Sequence, residues 1–323
     1  MPTILFSAPY MIPEIDRFQH LFDKFGFDLI VPDVAERLDE EQLLEFAGQF
    51  DGAICGDDQF TRTVLEACAP RLKAISKWGT GIDSIDSQTA ERLSVNVSRT
   101  PNAFTLPVAD TVMGYILAFA RRQPWMDRDM KAGIWKKLPG WSLSECTLGV
   151  IGVGNIGKAV LRRARAFAMK LLGNDIVEIM PDFVIETGVR MTSLEDLLLR
   201  ADFVSLNCDL NPTSYHLINT QSLALMKLEA ILINTARGSV VNEPALVEAL
   251  QTGKIGGAAL DVYEEEPLPA NSPFLQLDNV LLAPHNANSS PAAWERIHWN
   301  TIYNLLKGLG LEIGDLESLR ALR

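Results

Sequence analysis

The chain has 323 residues, 47% of them apolar, and a formal net charge of −12. That length points to two domains with real cores, and the acidity argues against nucleic acid or an anionic membrane as a partner. No apolar run is long enough to span a bilayer.

The N-terminal stretch MPTILFSAPYMIPEID lacks the basic start and long apolar middle of a signal peptide. Residues 1 to about 100 alternate strand and helix. Strands are expected over 4–6, 28–31, 52–55 and 72–75, with amphipathic helices near 13–25, 38–49 and 60–69. Such alternation implies a parallel sheet with helices on both faces, an open α/β domain that takes ligands at the carboxyl ends of its strands. One such end is Ser76-Lys77-Trp78-Gly79-Thr80-Gly81-Ile82-Asp83. It reads either as a turn into the next helix or as a backbone N–H cradle for a carboxylate, with Gly79 and Gly81 allowing close approach. The neighbouring strand ends in Gly56-Asp57-Asp58. Those carboxylates either open into the same crevice, where Lys77 could grip a distal phosphate, or cap the helix starting near Thr61 and face solvent. The four cysteines, Cys55, Cys68, Cys146 and Cys208, show no CxxC. They fit reduced residues of a cytoplasmic protein, with no metal site.

From Pro101 to Arg121 the pattern turns helical after Pro107 and could bridge two domains; 123–141 is polar and loop-like. The most informative stretch follows. A short apolar strand over 148–151 leads into the glycine turn Gly152-Val153-Gly154-Asn155-Ile156-Gly157, a helix over 158–169 and a strand over 170–173 ending in Asn174-Asp175. This suits a dinucleotide fold. Gly152 permits the tight turn, Gly154 lets a pyrophosphate approach the backbone, and Gly157 lets helix and strand pack closely. The phosphates would sit on the free N–H groups at the helix start. Asp175 is either a turn residue or the acceptor for the adenosine ribose hydroxyls.

A helix over 191–200 and strands over 203–206, 231–234, 258–262 and 279–283 complete the pattern. Three strand ends carry Arg237, Asp261 with Glu264 to Glu266, and Pro284-His285, and in an open sheet they line one crevice with the cofactor. Of four histidines, His20 reads as surface, His216 as part of a polar link and His298 as packing. Only His285 stands at a strand end, where an imidazole can give and take a proton near neutral pH. Arg237 offers a planar fork for a carboxylate or ketone. A carboxylate near His285 would favour its charged form. Taken alone, the three glutamates read as a solvated acidic loop.

The motifs GVGNIG with Asp175, NTARGSVV, GGAALDVYEEEPLP and APHNANS resemble those of the D-isomer-specific 2-hydroxyacid dehydrogenase family, on its phosphoglycerate-dehydrogenase-like side, from about Lys73 onward. Asn207-Cys208-Asp209 and Asn286-Ala287-Asn288 are this chain's own variations on the pattern. The resemblance implies two doubly wound parallel-sheet domains: a discontinuous flavodoxin-like substrate domain over 1–100 and 288–323, and a Rossmann NAD-binding domain over 101–287, with the cleft between them. It implies catalysis by Arg237, Glu266 and His285, and NAD contacts at Asn155, Ile156, Asp175, Cys208, Thr235, Ala236, Asp261 and Ala287 besides the glycine turn. It places the substrate on Lys77, Gly79, Thr80 and Gly81. It further implies a homodimer without the regulatory C-terminal extension of longer phosphoglycerate dehydrogenases. The expected reaction is reversible hydride transfer between NAD and C2 of a D-2-hydroxy acid, with 3-phosphoglycerate as an alternative substrate. An NAD(H)-sensing binding protein is the rival of another class, and a different Rossmann enzyme such as a methyltransferase would leave Arg237, Glu266 and His285 without a shared purpose.

Overall fold

A computed structural model describes residues 1–322. Two compact units divide the chain, one formed by 1–104 with 290–323 and the other by 105–289. The crossings fall at Phe104–Thr105 and Ser289–Ser290, at the starts of two long helices, Thr105–Ala120 and Pro291–Gly308.

The first unit is a parallel sheet of five strands, β1 (Thr3–Phe6), β2 (Asp28–Ile30), β3 (Gly52–Cys55), β4 (Ala74–Lys77) and β5 (Asn96–Ser98), in the order β2-β1-β3-β4-β5. Burial of β1 and β3 from both faces explains why they read as nearly continuous apolar runs. Helix Pro291–Gly308 packs on β3, β4 and β5 through Ile297, Thr301, Ile302 and Leu305. His298 on this helix is a packed residue: its Nδ1 accepts the Trp78 indole N–H at 3.0 Å, and burial pushes its pKa down. The helix expected over 38–49 is shorter, Glu40–Leu44. Its continuation tightens into turns that bond three residues back and stops at Gly48, where φ is +72°.

Asp58 follows neither sequence reading. Thr61, not an aspartate, caps helix Arg62–Cys68. Asp58 is fully buried and accepts from the Ser7 hydroxyl at 2.6 Å and the Leu38 N–H at 2.6 Å, stapling the 31–39 connection to the sheet. Burial is the main cause that pushes its pKa up from 3.8 to about 6, against these hydrogen bonds and the nearby Lys77 charge. The folded state therefore binds this proton more tightly than the unfolded chain. The cost of ionising Asp58 appears as pH rises through 3.8 and is complete above about 6. Urea unfolding should show wild type losing about 2 kcal/mol relative to Asp58→Asn between pH 4 and pH 7. Parallel stability profiles for the two proteins would remove Asp58 from this role.

The second unit is a parallel sheet of seven strands, β6 (Thr147–Ile151), β7 (Lys170–Asn174), β8 (Arg190–Met191), β9 (Phe203–Leu206), β10 (Ile231–Asn234), β11 (Gly257–Leu260) and β12 (Val280–Leu282), in the order β12-β11-β10-β9-β6-β7-β8. Met191, expected to open a helix, extends the sheet instead. The Thr192 N–H still bonds to Gly173, and Ser193 caps helix Leu194–Arg200. Half of the 123–141 segment is helical, Gln123–Lys131, where a loop was expected. Trp125 decides this: its ring packs 5.0 Å from Phe119 and its N–H reaches the Asp278 carbonyl. No helix among the described residues is long and apolar enough to cross a membrane.

Candidate active site

The glycine turn lies between β6 and helix Asn155–Ala166, which starts earlier than the sequence pattern suggested and leaves Phe167 43% exposed beyond its end. Each glycine has a separate reason. Gly152 has φ +86°, and a Cβ there would lie 2.5 Å from the Cys208 nitrogen. A Cβ on Gly157 would lie 2.1 Å from the Gly152 carbonyl oxygen. Around Gly154 nothing comes within 4 Å, so the backbone is open to a ligand. Asn155 and Ile156 form the first turn of the helix, whose leading N–H groups lack partners within it. Asp175, just past β7, accepts from Val153 N–H at 2.6 Å and Val177 N–H at 2.9 Å. One carboxylate thus both closes a local turn and holds the glycine loop. Cys208, past β9, abuts Gly152, and burial pushes its thiol up to about 11.

At the end of β10, Thr235 is buried and its hydroxyl oxygen has no partner. Asn234 receives the Ala236 N–H on its side-chain oxygen and donates to the Arg237 carbonyl at 2.9 Å. It fixes the turn that presents Arg237, a role the sequence reading passed over although Asn234 stands in the quoted motif. The Arg237 guanidinium donates to the Ala236 carbonyl.

Asp261, past β11, is 1% exposed. Its carboxylate accepts from the Asn286 and Ala287 N–H groups at 2.8 and 2.9 Å, and its carbonyl accepts from the His285 N–H at 2.7 Å. Burial raises the Asp261 pKa, and these two donors oppose the rise. Asp261 therefore acts here as a brace: it bends the chain after β12 so that His285 takes φ +49°. Ala287 is buried within the same bend.

His285 Nδ1 lies 2.9 Å from Glu266 Oε2, and Glu266 Oε1 accepts the Tyr263 N–H at 2.9 Å. Both side chains are largely covered, at 20% and 14% exposure. Tyr263 adds a second anchor, its hydroxyl bonding the carbonyls of Leu260 and Ala283 and so tying the ends of β11 and β12. The remaining glutamates divide. Glu264 pairs with His216 Nε2 at 2.9 Å and exchanges bonds with the Glu243 segment, whereas Glu265 faces solvent. The acidic run is thus only partly a solvated loop.

On the first unit, Lys77 ends β4 and forms an ion pair with Asp57 at 2.8 Å. Gly79 has φ +148°, and its carbonyl accepts the Thr100 N–H. The Thr80 hydroxyl donates to the Thr100 carbonyl, so it shapes the loop rather than projecting from it. Gly81 follows, half-buried.

The residues fit a dinucleotide: open space over Gly154, backbone-tight glycines on either side, and a buried Thr235 oxygen without a partner. With a histidine–carboxylate pair past the ends of β11 and β12 of the same sheet, this is the equipment of a nicotinamide-dependent oxidoreductase. The family described as D-isomer specific 2-hydroxyacid dehydrogenase, NAD binding domain, matches residues 113–287. A glyoxylate reductase of Korarchaeum cryptofilum is 40% identical over 255 residues, 77% of this chain and 76% of that protein. A D-3-phosphoglycerate dehydrogenase of Methanocaldococcus jannaschii is 42% identical over 266 residues, 81% of this chain and 50% of the relative. The crystal structure of D-lactate dehydrogenase from Aquifex aeolicus, complexed with NAD and lactic acid, superposes with a TM-score of 0.84 at 29% identity, covering 98% of this chain and 97% of that one. The chain belongs to the D-isomer-specific 2-hydroxyacid dehydrogenase family. It is a NAD-dependent oxidoreductase of small hydroxy or oxo acids.

Proposed function

We propose that Arg237, Glu266 and His285 carry reversible oxidation of a D-2-hydroxy acid to its 2-oxo acid. The observation that carries this is the His285–Glu266 pair. With Nδ1–H donated to the carboxylate, Nε2 is the nitrogen that exchanges the proton with substrate. In oxidation His285 Nε2 takes the C2 hydroxyl proton; in reduction it returns it. Glu266 positions the ring and stabilises the imidazolium. Bound NAD supplies the hydride acceptor, and NADH the donor. Arg237 and the backbone of the Gly79 loop hold the substrate carboxylate. Asn155, Ile156, Thr235 and Ala236, with the glycine turn, hold the cofactor, and Asp175 disfavours a 2′-phosphate by charge. The unit over 105–289 is the NAD domain and the unit over 1–104 with 290–323 the substrate domain. The reading extends to a cytoplasmic homodimer: Met130, Ile134 and Trp135, exposed at 52%, 50% and 85%, form an apolar stretch that a second copy would cover.

NADH absorbance with a panel of D-hydroxy and 2-oxo acids tests the reading. Turnover of none, with NADH still bound, would favour a sensor over an enzyme. Arg237→Lys should lower kcat/KM by about 10²-fold or more with KM for the acid rising, because lysine keeps the charge and loses the planar fork. An unchanged kcat/KM would take Arg237 out of the site.

A further inference from the structure

The loop that would hold the substrate covers an ion pair that proton and hydride transfer do not use. Lys77 lies opposite Cys55 in the register of β4 against β3, and Asp57 stands just past the end of β3. The Lys77 ammonium is 2.8 Å from the Asp57 carboxylate; the lysine side chain is 3% exposed and the aspartate 26%. The lysine runs under Gly79, where a Cβ would lie 3.5 Å from its Cε and 3.7 Å from its Nζ. Asp58 beside it is turned inward and occupied by Ser7 and Leu38.

The cation that ends β4 is therefore covered and neutralised, and the member of the pair that reaches solvent is the carboxylate; Arg99, past the end of β5, is engaged with the Thr80 carbonyl at 3.1 Å. A distal phosphate brought here would meet negative charge first. To recruit Lys77 it would have to break a largely desolvated ion pair, which is costly. An uncharged distal group meets neither obstacle. We propose that Asp57 is a specificity-determining residue: by holding Lys77 in a covered ion pair, it makes the site select 2-hydroxy acids with an uncharged distal end against those bearing a distal phosphate. The proposal rests on the placement of the substrate carboxylate on the Gly79 loop given above.

The test compares kcat/KM for D-glycerate and D-3-phosphoglycerate in wild type, Asp57→Asn and Asp57→Asn/Lys77→Met, with thermal melts to confirm folding. Wild type should prefer D-glycerate by about tenfold or more. Asp57→Asn should move the ratio about tenfold or more toward the phosphate, the gain shrinking between roughly 0.05 and 0.5 M salt, and Lys77→Met should abolish it. A wild-type preference for the phosphate, or an unmoved ratio in Asp57→Asn, overturns the proposal. If Asp57→Asn does not fold, competition in wild type decides: a Ki for D-3-phosphoglycerate above the KM for D-glycerate supports it, and a Ki below that KM overturns it. Turnover of D-glycerate with an unmoved ratio overturns this inference alone. Failure to turn over any 2-hydroxy acid on the panel overturns the proposed function and this inference with it.

Discussion

His285→Gln should bind NADH and lose kcat by about 10²–10⁴-fold, the contribution of a positioned proton donor and acceptor. Glutamine can still meet Glu266 through its amide, and the bend at 285–287 is set by Asp261 through backbone N–H groups that the substitution leaves in place. The loss should therefore fall on proton transfer and not on folding. The comparison of kcat with the NADH dissociation constant measures this directly. Near-normal kcat would remove His285 from the mechanism, and loss of NADH binding would show that the residue builds the cofactor site instead.

Gly238→Ala should be as damaging, for a steric reason. An added Cβ would lie 1.8 Å from the Tyr263 carbonyl carbon, 2.0 Å from its oxygen and 2.3 Å from the Glu264 nitrogen. All three are backbone atoms, so no rotamer change relieves the clash. The turn after Arg237 must separate from the segment that carries Tyr263 and Glu266. Overpacking of this kind costs about 1–3 kcal/mol or more, and the displaced residues are those proposed to bind and turn over substrate. A fall in kcat/KM of about 10²-fold or more with a lowered Tm is expected. Gly114→Ala is the contrast: the site is exposed on helix Thr105–Ala120 with nothing within 4 Å, so a methyl there should stabilise by about 0.5–1 kcal/mol. If both variants behave alike, packing at Gly238 is not what holds the two segments together.

Local chemistry made much of this protein legible in its sequence. Strand, glycine turn, helix, strand and acid are contiguous between Thr147 and Asp175, and each glycine there answers to backbone geometry within or beside the stretch. The alternation of buried strands and helices is likewise a nearest-neighbour pattern, and it sufficed for two parallel α/β sheets. His285 could be singled out because it alone among four histidines follows an apolar strand.

Tertiary structure decided whatever depends on which segments meet. Trp125 makes a helix of 123–131 by packing on Phe119, and Pro124 with its polar neighbours could not announce that. Glu266 rather than Glu264 or Glu265 meets His285 because Tyr263 fixes the loop, whereas composition shows only three acids in a row. Asp261 serves the 285–287 bend and Asn234 the Arg237 turn through hydrogen bonds across strand ends. Asp57 and Asp58, adjacent and chemically identical, part company for the same reason. One reaches Lys77 across β3 and β4, while the other turns inward to Ser7 and Leu38, because alternate residues past a strand end face opposite ways and meet different partners.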